Sequence, residues 1–231
     1  MMNFTTLLWD VDGTLLDFKA AEKAAVKALF REFSLGECTD EMVRLYSQIN
    51  EVFWQRLERN ELTKPQILVG RFEQFFTEVG IPASLAPAFN DRYQFALGDT
   101  IVFRDDSINI VRSLRGKVKQ YAVTNGTVTA QNKKLAASGL KDLLDGAFLS
   151  EGVGAEKPNM AFFDAVFEAI RPADLSKVLI IGDSLTSDIR GGNNAGIKTC
   201  WYNPDRLSAP PGYDIDYTIS DLHEVPEIIK S

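Results

Sequence analysis

Histidine is nearly absent. The 231 residues hold one, His223, which excludes a His-rich metal site and HExxH chemistry. A Ser-His-Asp triad would have to use His223, yet Asp221-Leu222-His223-Glu224 reads as the surface of a helix start. Cysteine is almost as scarce. Cys38 and Cys200 lie far apart, which makes no disulfide framework and fits a reducing compartment. No apolar run approaches transmembrane length. The apolar stretch near the N-terminus has no Lys or Arg before it and ends at Asp10 and Asp12, unlike a signal peptide. These absences predict a cytoplasmic location and no membrane partner. Positive charge is the minority sign, with 25 Lys and Arg against 32 Asp and Glu and a formal net charge of −7. Such a chain repels nucleic-acid polymers and anionic membranes, but a local cation can still hold a small phosphorylated ligand. There is no internal repeat, and Ala209-Pro210-Pro211-Gly212 reads as a local loop.

What is present begins with a strand over residues 5–12, carrying Leu7-Leu8-Trp9, with Trp9 facing the core. From Phe18 to Ala96 the pattern changes to helix after helix. Val26, Leu29, Phe30 and Phe33 make one apolar stripe, and Met42, Leu45, Tyr46, Ile49, Val52 and Phe53 a second. Thr63-x-x-Gln66 reads as a capping box opening a third helix, with Leu68, Phe72, Phe75, Phe76 and Val79 on its face. A weaker helix runs from Pro87 to Leu97. Beyond residue 101 strands and helices alternate. Strands are expected at 118–124, 147–150, 178–181, 198–202 and 217–219, and helices at 128–137, 159–170, 187–195 and 225–229. Val178-Leu179-Ile180-Ile181 has the unbroken apolarity of a parallel strand buried on both faces. The expected fold is α/β, an open parallel sheet with right-handed crossovers, interrupted after its first strand by a helical block.

The unusual polar residues fall at strand ends, where open α/β sheets bind ligands. Asp10-Val11-Asp12-Gly13-Thr14 follows the first strand. Two carboxylates this close raise each other's pKa, so the pair calls for a cation. Thr124-Asn125-Gly126, Lys157-Pro158 and Gly182-Asp183-Ser184 with Asp188 come later, each near a strand end. The set suits phosphoryl transfer. Asp10 and Asp183 can share a Mg²⁺. That ion and Lys157 would neutralise a phosphate dianion. The Thr124 hydroxyl and the backbone N–H groups near Asn125 and Gly126 can hold phosphate oxygens. One carboxylate can form an acyl phosphate while a second handles protons. An EF-hand reading of the first motif fails, because that loop wants Gly at its sixth position and the chain has Leu15.

These four stretches, in this order, resemble the four motifs of the haloacid dehalogenase superfamily. The resemblance implies Asp10 as nucleophile and Asp12 as general acid/base. It implies Thr124, Asn125, Gly126 and Lys157 as phosphate-binding residues. Metal ligation falls to Asp10, the Asp12 carbonyl and Asp183, with Asp188 acting nearby or through water. The long gap between the first two motifs matches the superfamily's helical cap type. The expected division is thus a Rossmann-like, doubly wound core at 1–16 and 97–231, with an inserted all-helical cap at 17–96. An acid at Asp12 belongs to the superfamily's phosphatases and phosphomutases, and phosphatase is the default.

A narrower resemblance is to the bacterial noncanonical pyrimidine nucleotidases. It rests on Asn50, Trp54, Gly70-Arg71-Phe72, Val123 to Gly126, Ser150 to Asn159 and Thr199-Cys200-Trp201. It implies a nucleoside 5′-monophosphate as substrate. In the cap, Trp54 can stack on a base and Arg71 can pair with a polar substrate group. For each, taken singly, a simpler reading stands ahead: Trp54 packs between helices and Arg71 is solvated. A sugar-phosphate phosphatase or a phosphoglucomutase-like enzyme is the alternative within the class. A non-catalytic phosphate-ligand sensor is the alternative outside it, disfavoured because a sensor has no need of Asp12. Oligomeric state is not legible.

Overall fold

A computed structural model describes residues 3 to 230. The core limits expected at Met1 and Ser231 lie outside the described residues. β1 (Thr6–Trp9) is followed by four helices, α1 (Phe18–Glu32), α2 (Asp40–Glu58), α3 (Lys64–Glu78) and α4 (Ala86–Ala96). Next come α5 (Ser107–Leu114), β2 (Lys119–Thr124), α6 (Val128–Ala137), the single turn α7 (Leu140–Leu143) and β3 (Gly146–Leu149). The remainder is α8 (Ser150–Val153), α9 (Met160–Ile170), β4 (Val178–Gly182), α10 (Arg190–Ala195), β5 (Lys198–Tyr202), β6 (Tyr217–Ile219) and α11 (Val225–Lys230).

The six strands form one sheet in the order β3-β2-β1-β4-β5-β6, with every pairing parallel. The fold is the Rossmann-like α/β arrangement. Side chains alternate between its two faces. Leu7, Trp9, Leu179 and Ile181 pack in one apolar cluster. Leu8, Val178 and Ile180 pack in another, under Phe162, Phe163 and Val166 of α9. Both faces are covered, which is why these strands read as unbroken apolar runs. Trp9 is fully buried, and its indole N–H donates to Gln120 Oε1 at 3.2 Å. From β1 the chain passes to β2 and β3 on one side and later to β4, β5 and β6 on the other. The carboxyl end of β1 is therefore the crevice where strand order reverses, the usual ligand position in such sheets.

Helices α1 to α4 bury their apolar faces on one another around Phe30, Tyr46, Phe72, Phe75, Phe76, Phe89 and Tyr93. Tyr46 and Phe72 stack with centroids 4.8 Å apart. Thr63 N donates to Gln66 Oε1 at 2.8 Å, closing the capping box of α3. Val52 does not join the α2 stripe. It is 51% exposed, and Val43 and Leu57 lie inside instead. The chain leaves and re-enters the sheet at one place. Leu16 pairs with Phe103, and Asp17 N donates to Val102 O at 2.8 Å, so the two connections run side by side.

Two departures from expectation matter. The helix expected over 187–195 is a π-helical turn, Leu185–Ile189, leading into α10. Such turns recur at functional sites, and this one carries Asp188. Helix α5 has no counterpart in the sequence reading. It has eight residues, and Asp106 before it stands at φ 55° rather than in an ordinary N-cap geometry.

Candidate active site

The geometry begins at Gly13. Its φ is +101°, and a Cβ there would overlap the Asp183 carboxylate. Only glycine lets the turn after β1 pass this close to the end of β4. Gly182 repeats the device, since a Cβ there would strike the Asp188 side chain. Asp10 continues the ladder, its N–H donating to Ile181 O at 2.9 Å. The two turns thus bring Asp10, Asp183 and Asp188 together, with one carboxylate oxygen of each within 4.8 Å of the others.

Lys157 lies among them, 1% exposed. Its ammonium donates to Asp10 Oδ1 at 2.9 Å, Asp188 Oδ1 at 2.6 Å and the Val123 carbonyl at 2.7 Å. The lysine is brought in from the loop after α8 by Asn125, which exchanges two bonds with the Lys157 backbone at 2.9 and 2.8 Å. Gly126 N donates to Thr124 Oγ1 at 3.1 Å, so the turn after β2 is closed on itself. Asp183 N donates to Thr14 Oγ1 at 3.1 Å, and the Trp201 indole to Asp183 O at 3.0 Å. Ser184 N donates to Asp188 Oδ2 at 3.1 Å.

One lysine faces three carboxylates, and the imbalance shows in their acidities. Burial pushes Asp10 well above the carboxylate range, with Lys157 opposing and Asp188 and Asp183 adding to the rise. Desolvation within the cleft, onto which its side chain is still exposed, and the Asp188 charge push Asp183 up to about 7. Lys157 is raised by the same two neighbours, Asp10 and Asp188, against the cost of its burial. Asp10 Oδ2 is buried and has no partner. A cluster of hard oxygen donors with excess negative charge and an orphaned oxygen fits a divalent cation.

Asp12 is held differently. Lys134 donates to its Oδ1 at 2.5 Å and Gln131 to its Oδ2 at 2.5 Å, both from α6. Both side chains are buried. Sequence reading missed them, because a Gln and a Lys at i and i+3 look like an ordinary solvated face. The one available signal was that Asp12, two residues from Asp10, needs a counter-charge of its own.

These residues open onto a cavity of about 170 Å³. Its lining includes Asp10, Asp12, Thr124, Asn125, Gly126, Lys157, Asp183 and Asp188 from the sheet edge. Phe18, Trp54 and Glu58 complete it from the helical block. All the core residues singled out from sequence therefore meet in one place. Asp188, expected to act at one remove, sits inside the carboxylate cluster itself. Trp54 lines the cavity while also packing against the helical cluster, so its two readings are compatible. Glu58 was not anticipated. Its Oε2 accepts from Thr186 Oγ1 in the π-helical turn, and burial pushes its carboxyl up to about 7.

Arg71 is where sequence reading failed in both forms. It is neither solvated nor in the cavity lining, being 1% exposed inside the helical block. Its Nη1 donates to Asn50 Oδ1 at 2.7 Å, and Asn50 donates in turn to the buried Glu22 at 2.9 Å. Its Nη2 donates to Asn90 Oδ1 at 3.3 Å. Gln94 joins Asn90 to Thr127, the N-cap of α6, at 2.8 Å on each side. A buried acid needs a cation, and Arg71 supplies it through Asn50. Arg71→Met should therefore destabilise the protein by about 1–3 kcal/mol, because Asn50 and Asn90 lose a buried donor and Glu22, still bonded by Ser47 and Asn50, loses its nearby buried cation. Urea unfolding measures this as a lowered midpoint, and adding Glu22→Gln should restore part of it. An unchanged midpoint in Arg71→Met would contradict the assignment.

Comparisons with known proteins show the family. A family model for haloacid dehalogenase-like hydrolases matches residues 4–196. The pyrimidine 5′-nucleotidase PynA of Streptococcus pneumoniae is 36% identical over 96% of this chain and 94% of its own length. The pyrimidine 5′-nucleotidase YjjG of Escherichia coli is 31% identical over 99% of both chains. The crystal structure of the HAD-hydrolase YfnB from Bacillus subtilis bound to magnesium superposes with a TM-score of 0.92. It is 36% identical and covers 99% of this chain and 100% of that one. Among the described residues, no helix is long and apolar enough to cross a membrane. With a model match over most of its length and full-length relatives above 30% identity, this chain belongs to the haloacid dehalogenase-like hydrolases and is an enzyme.

Proposed function

We propose that the protein is a Mg²⁺-dependent phosphomonoesterase acting on nucleoside 5′-monophosphates, pyrimidine nucleotides foremost. One observation carries the phosphatase reading. Lys157 bridges Asp10 and Asp188 with Asp183 beside them, and Asp10 Oδ2 is left without a partner. The nucleotide reading draws support from PynA and YjjG, which share nearly the whole chain, and from the aromatic side chains Phe18 and Trp54 lining the cavity. In this reading helices α1 to α4, residues 17–96, act as a cap over a core of 1–16 and 97–231. YfnB, whose magnesium-bound structure reveals interdomain movement, is a precedent for such a division.

Asp10 attacks phosphorus, forming an aspartyl phosphate as the ester P–O bond breaks. Asp12 gives a proton to the leaving alkoxide, and then takes one from the water that hydrolyses the acyl phosphate. Lys157, the Thr124 hydroxyl and the backbone N–H groups around Asn125 and Gly126 hold the phosphoryl oxygens. Asp10, Asp183 and the Asp12 carbonyl would hold a Mg²⁺, with Asp188 close by. When bound, the ion supplies positive charge to a dianionic ester. As placed here, Asp12 accepts from Lys134 and Gln131, which fix its side chain beside Asp10.

Phosphate release from a panel of monoesters tests the proposal. With Mg²⁺, activity should concentrate on dUMP, dTMP and UMP over purine monophosphates, hexose phosphates and phosphoglycolate, and EDTA should stop it. Activity spread over hexose phosphates would keep the phosphatase and remove the nucleotidase. No release from any ester would shift the reading to a phosphate-ligand sensor.

A further inference from the structure

The helical block contributes three side chains to the cavity, Phe18, Trp54 and Glu58. Two are aromatic and one is an acid. Trp54 and Glu58 lie four residues apart on α2 and so share one face of the helix. An acid here needs a reason. It sits opposite a phosphate site, near Asp188, and like charges raise its cost. A carboxylate cannot bind the phosphate. In its ionised form it accepts hydrogen bonds only, and that form is met by a group that brings donors.

The position of Glu58 narrows what that is. Its Oε2 takes the Thr186 hydroxyl, and Thr186 is within 3.2 Å of Ser184 Oγ. Ser184 is the residue whose N–H holds Asp188. Glu58 therefore stands beside the carboxylate cluster, at the phosphate end of the cavity. Trp54 is one helical turn back. A nucleoside monophosphate has the same order, phosphate, then sugar, then base. The flat apolar walls suit the base, and the acid falls at the level of the sugar.

We infer that Glu58 is a specificity-determining residue that accepts a hydrogen bond from the 3′-hydroxyl of the leaving nucleoside. The inference rests on the nucleotidase reading. The 3′-hydroxyl is the donor common to ribo- and deoxyribonucleotides. A site built to bond a hydroxyl rejects the analogue that lacks it, because its buried acceptor is left unpaired.

The test compares kcat/KM for dUMP and for 2′,3′-dideoxyuridine 5′-monophosphate in the wild type, Glu58→Gln and Glu58→Ala. The wild type should prefer dUMP by about 10- to 100-fold. In Glu58→Ala that ratio should collapse to within about threefold, with the loss falling on dUMP. Glu58→Gln keeps an acceptor oxygen and should fall between. A residue that only ties α2 to the core would lower both substrates together and leave the ratio unchanged. That result overturns the inference, as does a wild type with no preference. If Glu58→Ala fails to fold, the wild-type ratio and Glu58→Gln still decide. Should the wild type hydrolyse phenyl phosphate but neither nucleotide, the nucleotidase reading itself falls. Should it hydrolyse dUMP with an unaltered ratio in the variants, only the role of Glu58 falls.

Discussion

Asp10→Asn should lower phosphate release by about 10⁴-fold or more while the protein stays folded. Asparagine matches aspartate in shape and keeps an acceptor oxygen for the Lys157 ammonium, but its amide cannot form the acyl phosphate. The loss therefore belongs to kcat in single turnover, not to folding. Stability should move the other way. In cation-free protein the buried Asp10 carboxyl is held above its ordinary range, chiefly by desolvation. A folded value above the unfolded one, about 3.9, gives stability that is complete below that pH. It is lost as pH rises through the folded value. Asparagine does not ionise, so the variant escapes this loss. In EDTA, its melting temperature relative to the wild type should rise between pH 5 and pH 8. Asp183, raised to about 7, remains in both proteins, and losing the Asp10 charge beside it eases its ionisation, which works in the same direction. A variant that retains near wild-type turnover would sink the nucleophile assignment. One that melts far below the wild type in EDTA at pH 8 would sink the electrostatic account.

Why some of this site was legible in sequence and some was not has a physical cause. A parallel strand covered on both faces must be apolar throughout, so the end of β1 at Trp9 and of β4 at Gly182 showed as abrupt changes of residue type. The polar residues that follow stood out because stability alone does not call for them. Gly13 and Gly182 sharpened the signal, since each makes room for a specific carboxylate. Contacts across helices leave no such mark. Lys134 and Gln131 meet Asp12 from more than a hundred residues away, and nothing local to α6 announces it. Glu58, near the end of α2, looks like any charged residue in a last turn. Arg71 misled for a related reason. Arginine is rarely fully buried unless paired, and its indirect partner, Glu22, lies on another helix. Val52 failed more simply, because a stripe drawn at helical spacing can be rotated by one residue and still look apolar.

Lys157→Met should be inactive like Asp10→Asn but, unlike it, severely destabilised in the absence of a divalent cation. The wild-type ammonium bonds Asp10 and Asp188 in a fully buried position. Methionine fills similar volume and removes the only cation touching this pair among the described residues. Breaking a buried ion pair by deleting one partner costs about 3–5 kcal/mol, since the other charge remains. Here two carboxylates remain, with Asp183 beside them. The whole stability of a domain is about 5–15 kcal/mol, so the urea midpoint in EDTA should fall by a large fraction. Two further measurements separate charge from packing. Mg²⁺ should recover part of the loss, because a cation that binds only the folded state stabilises it by mass action. Adding Asp10→Asn to Lys157→Met should also recover stability, since it removes one of the unpaired charges. The resulting coupling in a double-mutant cycle should reach about 1–3 kcal/mol, as for residues in direct contact. A Lys157→Met protein as stable as the wild type, or a double variant with purely additive effects, would show that the lysine is held by its surroundings rather than by the carboxylates. The cluster would then need a different source of compensation, and the case for a divalent cation between Asp10 and Asp183 would have to rest on binding measurements alone.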